Sequence, residues 1–220
     1  MPHMAEQDHR NGRHLKKVFV ASIVGLPLAG LIGFCWWLDR NWEGEPYPVA
    51  DPVATAHRLD GHAQAVYDVL GLPHAELDTT WPGNGTTAKS YSCRRRGLRY
   101  WGDGLQDAAP PSEPHVVKVS SDWALKGVTR AQALRALQRA RQELMRRGWE
   151  VTAYDDLRPE PQLRLKSAQT GDSVSIEAFP GDRLQVVSYA DCARYPAGTS
   201  LDTWGGPVLP LPKAPHQLRE

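Results

Sequence analysis

The segment Val18 to Leu38, VFVASIVGLPLAGLIGFCWWL, runs for 21 residues without a charged side chain. A helix of roughly 20 apolar residues, rising 1.5 Å at each, spans a hydrocarbon core of ~30 Å. The stretch is expected to cross a bilayer, so every other feature is assigned to one side of it. Arg10, Arg13, Lys16 and Lys17 precede it, whereas only Arg40, beside Asp39, follows closely. Basic flanks stay in the cytoplasm, which puts the N-terminus inside and the chain from about residue 40 outside. Trp36, Trp37 and Trp42 cluster at the outer end, where the headgroup region favours amphipathic rings. A cleaved signal peptide has a shorter apolar core followed directly by small residues, but this run ends in Trp-Trp-Leu-Asp-Arg. A lipoprotein needs small residues just before its modified cysteine, and Phe34 precedes Cys35. An uncleaved, single-pass signal anchor is the expectation.

Ala21, Gly25, Ala29 and Gly33 recur every four residues along this segment, and that spacing keeps them on one helix face. Small residues there allow a second helix to approach closely. The ridge predicts a membrane-helix partner, another protein or a second copy. Against it, Gly and Ala are common in membrane helices in general, and Pro27 interrupts the run.

Cys93 and Cys192 both fall on the outer side, where thiol pairs oxidise. A disulfide between them is expected, the alternative being two buried thiols. No Cys-x-x-Cys occurs, which argues against a thioredoxin-like centre or a paired-cysteine zinc site. The formal net charge of +1 gives no reason to expect a nucleic-acid partner.

The organisation follows from periodicity. Residues 1–17 form a polar cytoplasmic tail, 18–38 the transmembrane helix, 39–50 a tether, 51–195 an extracytoplasmic domain, and 196–220 a Pro/Gly-rich tail expected to be disordered. Leu59, Ala63, Val66 and Leu70 make one helical stripe that Gly71 and Pro73 stop. Asp78 to Thr87 reads as a loop, and a strand is expected around Cys93 within 89–101. Val117, Val119 and Trp123 alternate as in a half-buried strand. Thr129 and Gln132 form a capping box for a helix ended by Gly148. Trp149, Val151 and Ala153 alternate again, and so do Leu163 and Leu165, Val174 and Ile176, and Leu184 and Val186. The expected fold is α+β in two layers, a β-α-β-β-β antiparallel unit with an additional helix, its sheet covered on one side.

Candidate chemistry is sparse. Arg135, Arg139 and Arg146 form one stripe on the second helix, opposite Leu134, Leu137, Ala140, Leu144 and Met145. Such a stripe fits an anionic lipid, polymer or acidic partner, or is simply a solvated face. Arg141 falls between the apolar positions and either snorkels or pairs with a carboxylate. Arg94, Arg95 and Arg96, with Arg99, Tyr100 and Trp101, make a basic-aromatic patch suited to phosphate or a sugar polymer. His57 and His62 stand five apart, which separates their imidazoles around a helix and argues against zinc. Asp155, Asp156 and Glu177 are available carboxylates that nothing places opposite one another. No nucleophile elbow, zinc-protease motif, phosphate loop or dinucleotide fingerprint occurs. No catalytic residue, metal ligand or cofactor is assigned.

The run KKVFVASIVGLPLAGLIGFCWWLDR, a small ectodomain with Cys93 and Cys192, and an excess of Arg (19) over Lys (7) resemble uncharacterised single-pass membrane proteins of high-GC Gram-positive bacteria. The resemblance implies a cell-envelope location and no catalytic residues. The function expected is that of a non-catalytic envelope accessory protein, anchored in the plasma membrane and binding a protein partner. A ligand-binding or sensing ectodomain for an anionic polymer or lipid is the alternative, and an envelope hydrolase without a recognised motif is the second.

Overall fold

The computed structural model describes residues 34–103, 110–157 and 160–218. Residues 18–33, most of the expected membrane span, lie outside them. So do Ala21, Gly25, Ala29 and Gly33 and the cytoplasmic tail. Among the described residues no helix is long and apolar enough to cross a membrane.

The chain divides into two compact units. The larger one, residues 47–94 and 111–220, is built on one long strand. Its elements are α1 (Pro52–Leu70), β1 (Glu76–Leu77), β2 (Gly85–Lys89), β3 (Val116–Lys126), α2 (Arg130–Arg146), β4 (Trp149–Asp155), β5 (Gln162–Ser167), β6 (Ser173–Phe179), β7 (Arg183–Tyr189) and β8 (Ala193–Arg194). All the ladders are antiparallel. β3 is long enough to pair twice on each side. β2 and β1 follow one another along one side, and β8 and β7 along the other. β6, β5 and β4 complete the sheet as a meander. The structure has four strands after α2, one for each alternating segment from Trp149 to Val186, where the β-α-β-β-β order counted three; β4 is the edge strand.

Alternation decides what each face does. Trp123, Leu125, Leu163, Leu165, Val174, Ile176, Leu184 and Val186 point to one face and form the main core. α1 covers β3 and β7 on that face, and α2 covers β4, β5 and β6. At about 25 cal/mol per Å² of apolar surface, this burial is the main stabilising term. α1 starts at Asp51, whose carboxylate accepts from the Val53 amide, with Pro52 in its first turn. It ends at Gly71, φ +59°. α2 carries the expected capping box of Thr129 and Gln132. Its buried side is Ala133, Ala136, Leu137, Ala140 and Leu144. Met145, assigned to that side from the sequence, is instead exposed, because the stripe is centred one position nearer the N-terminus.

Two local expectations change. The strand expected near Cys93 forms earlier, at Gly85–Lys89. Thr86, Thr87 and Ala88 give no apolar alternation to reveal it, and the ladder with β3 sets it. The tail expected to be disordered crosses back over the domain. Pro207 and Pro215 are buried, and Leu218 packs on the main core. The Gln64 amide accepts from the His216 backbone N–H at 2.9 Å, and Gln217 donates to Asp68 at 2.6 Å. Proline supplies apolar surface without adding a backbone donor that burial would strand.

Cys93 and Cys192 form a disulfide across 99 positions. Changing both to Ser is expected to lower the unfolding free energy by up to about 4–5 kcal/mol, the chain entropy of a ~100-residue loop. In urea denaturation of the full chain in detergent, the midpoint should fall and the slope should steepen, since the unfolded chain expands.

The smaller unit comprises residues 1–46 and 95–110. Residues 34–43 are helical, and Leu98–Tyr100 is a 3₁₀ turn. Part of the expected tether is therefore helix.

Candidate functional site

Among the described residues of the larger unit, no helix packs on the sheet face opposite α1 and α2. At one end the 78–84 loop folds onto it. The Trp81 ring packs against Phe179 at a tilt of 54°, ring centres 5.0 Å apart, and Arg183 pairs with the buried Asp78 at 2.9 Å. Hydrogen bonds from Thr80 hold the Asp78 carboxyl below the usual range, with Arg183 adding to the effect against the opposing cost of burial.

The rest of the face holds a depression of about 420 Å³. Register explains it. Asp122, Val187, Ser175 and Arg164 stand in one row across β3, β7, β6 and β5, and Ser120 and Tyr189 share the next row. Lys89 faces Lys118 beyond them. Small side chains, Ser120, Val187 and Ser175, make the floor. Lys89, Lys118, Arg164, Asp122, Tyr91 and Tyr189 make the rim.

Three cations meet one carboxylate there. Among the described residues, none of Lys89, Lys118 or Arg164 lies within ion-pair distance of an acid. Asp122 accepts from Gln185 at both oxygens, at 2.9 and 2.8 Å. Burial nevertheless pushes its carboxyl upward. The Lys118 ammonium lies 3.9 Å from the centre of the Tyr189 ring. Burial lowers its pKa, against an opposing pull from Asp191. A partly desolvated ammonium of this kind gains from an incoming anion that restores its charged form.

A second polar cluster does different work. Asp172, at the β5–β6 turn, is 2% exposed and pairs with Arg58 at 2.7 Å and His62 at 2.9 Å, both on α1. Burial pushes its carboxyl up, but hydrogen bonds from His62, Arg58 and Thr170 outweigh that and hold it far below the usual range. A cavity of about 170 Å³ adjoins Asp172 and Arg58. His62 spends its Nε2 on Asp172 and packs edge-on against Trp149. Among the described residues no hydroxyl or thiol is hydrogen-bonded to His62, so the cluster reads as a tie between helix and turn. Among the described residues, no group of three or more His, Cys, Asp or Glu is placed to hold a metal ion.

The arginines singled out from sequence have varied surroundings. Arg139 donates to the Gly71 carbonyl at 3.2 Å, and Arg146 pairs with Glu143 at 2.8 Å. Arg135 is exposed. Arg141 lies over the Tyr154 ring at 4.8 Å, the packing outcome rather than the carboxylate pair. The Arg94 carbonyl accepts from the Tyr47 hydroxyl. Arg95 stacks on Tyr100, and Arg96 donates to the Glu45 carbonyl. Sequence reasoning missed Lys89, Lys118, Asp122 and Arg164. Their only signal was the polar half of each alternating strand, which looks like an ordinary wet face until the register is known.

No protein-family model and no curated protein matches the chain. A crystal structure of the "putative lipoprotein LppA" from Mycobacterium tuberculosis is similar over 70% of this chain and 87% of that one. The two are 12% identical, at a TM-score of 0.33. Likeness at that level carries no argument about this chain.

Asp172→Asn tests the tie. At pH 7 it should cost about 2 kcal/mol, the usual value of hydrogen bonds to a charged group. A carboxyl whose folded pKa is depressed contributes stability above its unfolded value and loses it as pH falls toward the folded one. Denaturation midpoints of wild type and variant should therefore converge as pH falls below 3.8, the ordinary value.

Proposed function

We propose that this chain is a membrane-anchored, extracytoplasmic and non-catalytic binding domain of the cell envelope. Its ligand is an anionic, hydroxyl-bearing molecule, a phosphodiester or uronate polymer, received on the helix-free face of the sheet. The observation that carries the reading is the 420 Å³ depression rimmed by Lys89, Lys118 and Arg164, three cations that, among the described residues, lie within ion-pair distance of no carboxylate. Arg164 offers a planar fork suited to a phosphate or carboxylate. Ser120 and Ser175 on the floor offer hydroxyls to a sugar or polyol, and Asp122 selects against a purely anionic contour. The outside location is supported by the basic flank before Val18 and by the Cys93–Cys192 disulfide. The accessory-protein reading, with a partner recognised through the Ala21–Gly33 ridge, draws on residues outside the described ones.

Lys118→Gln/Arg164→Gln should weaken binding of poly(glycerol phosphate) or polygalacturonate to the detergent-solubilised full chain by at least about tenfold, roughly 1.4 kcal/mol. Arg135→Gln/Arg146→Gln should leave it unchanged. Titration calorimetry at two salt concentrations reads both. Loss of binding only in the helix variant would move the site to the helix stripe, and the preferred polymer would separate phosphodiester from uronate.

A further inference from the structure

The smaller unit brings a second stretch of chain to the end of the expected anchor. The helix over 34–43 ends at Gly44, whose amide donates to the Arg40 carbonyl at 3.0 Å. Gly44 (φ +79°) and Gly97 (φ +99°) then let two backbones meet directly. A Cβ at Gly44 would strike Arg96 and the Gly97 amide, and one at Gly97 would strike the Trp42 and Glu43 carbonyls. Arg99 pairs with Glu43, and Arg96 donates to the Glu45 carbonyl. The segment 95–103 is fastened to the helix end by backbone contact, an ion pair and a hydrogen bond.

That attachment fixes its depth. Glu43 lies five residues beyond Leu38, the last residue of the apolar run, so about 7.5 Å farther along a helix. The headgroup zone on each side of the hydrocarbon is roughly 5–7.5 Å thick, so Glu43 stands at its outer edge. Side chains on a segment held at Glu43 reach that zone. Those available are Leu98 and Trp101, 59% and 74% exposed, with Arg95 over Tyr100. Leu98 and Trp101 are exposed to water in the isolated chain, and an interface receives both Trp rings and Arg side chains. Trp36, Trp37 and Trp42, also more than half exposed, belong to the same unit.

We infer that Leu98, Tyr100 and Trp101, with Arg95, form a second membrane contact, lying in the headgroups of an anionic phospholipid surface beside the anchor. The inference goes beyond the ligand-binding reading. It needs the expected anchor and not the depression on the sheet, so loss of polymer binding leaves it untouched.

The test uses the full chain in Cys35→Ser background, with Gly102→Cys labelled with bimane. Gly102 has no atom within 4 Å of an added Cβ. In liposomes of phosphatidylcholine with phosphatidylglycerol, headgroup-nitroxide lipid should quench the probe severalfold more than the water-soluble quencher acrylamide does. Leu98→Ser/Trp101→Ser should reverse that preference, and Arg95→Gln should reduce it only when phosphatidylglycerol is present. Acrylamide quenching equal to that of free bimane-glutathione would overturn the inference. So would equal shielding with and without Leu98 and Trp101, which would mean that protein and not lipid covers the probe. Equal shielding in pure phosphatidylcholine would overturn the requirement for anionic lipid.

Discussion

Two helices can cover only one face of this sheet, and the rest of the domain depends on that. α1 and α2 both lie on the side of Trp123, Leu163, Ile176 and Val186. The opposite side is left to water, loops and whatever binds there. Its strands accordingly carry Lys118, Ser120, Asp122, Arg164, Ser175 and Gln185 at outward positions, with Val187 and Phe179 among the apolar exceptions. A wet face is the ordinary result of such packing. What sets this one apart is that, among the described residues, Lys89, Lys118 and Arg164 lie within ion-pair distance of no acid while its own acids are engaged. Asp122 is held by Gln185, Glu177 by Gln162 and Asp78 by Arg183.

Around that core the chain is closed by ties of different physics. The disulfide limits the unfolded ensemble and joins two irregular segments that apolar burial alone would hold weakly. The Arg58–Asp172–His62 cluster fixes the β5–β6 turn to α1, and its strength comes from satisfying nearly every lone pair of one buried carboxylate. Asp60 does the same more gently, accepting from Ser121 and Thr86. The C-terminal segment is held by Gln64, Asp68 and Gln217 and by buried prolines. Together they leave the open face framed by fixed elements, which a preorganised charged site requires.

Much of the fold was legible because its signals are local. Leu59, Ala63, Val66 and Leu70 repeat at helical spacing. Thr129 and Gln132 cap one helix, Gly71 and Gly148 stop two, and alternating apolar residues mark all four strands after α2. β2 was not legible, since Gly-Thr-Thr-Ala-Lys owes its strand form to β3. The C-terminal segment was not legible either, because Pro and Gly report what a segment cannot form and say nothing of where it can rest.

The sequence by itself determined the helix boundaries and the apolar half of each strand after α2. These are set by composition and period within about twenty neighbouring residues. The tertiary structure alone decided which polar residues meet. Lys89, Lys118, Asp122 and Arg164 come from three strands, and a shift of one residue in any ladder would turn one of them to the opposite face. Register is fixed by the burial of the other face, so the charged face is a consequence of packing that no local pattern in its own residues encodes.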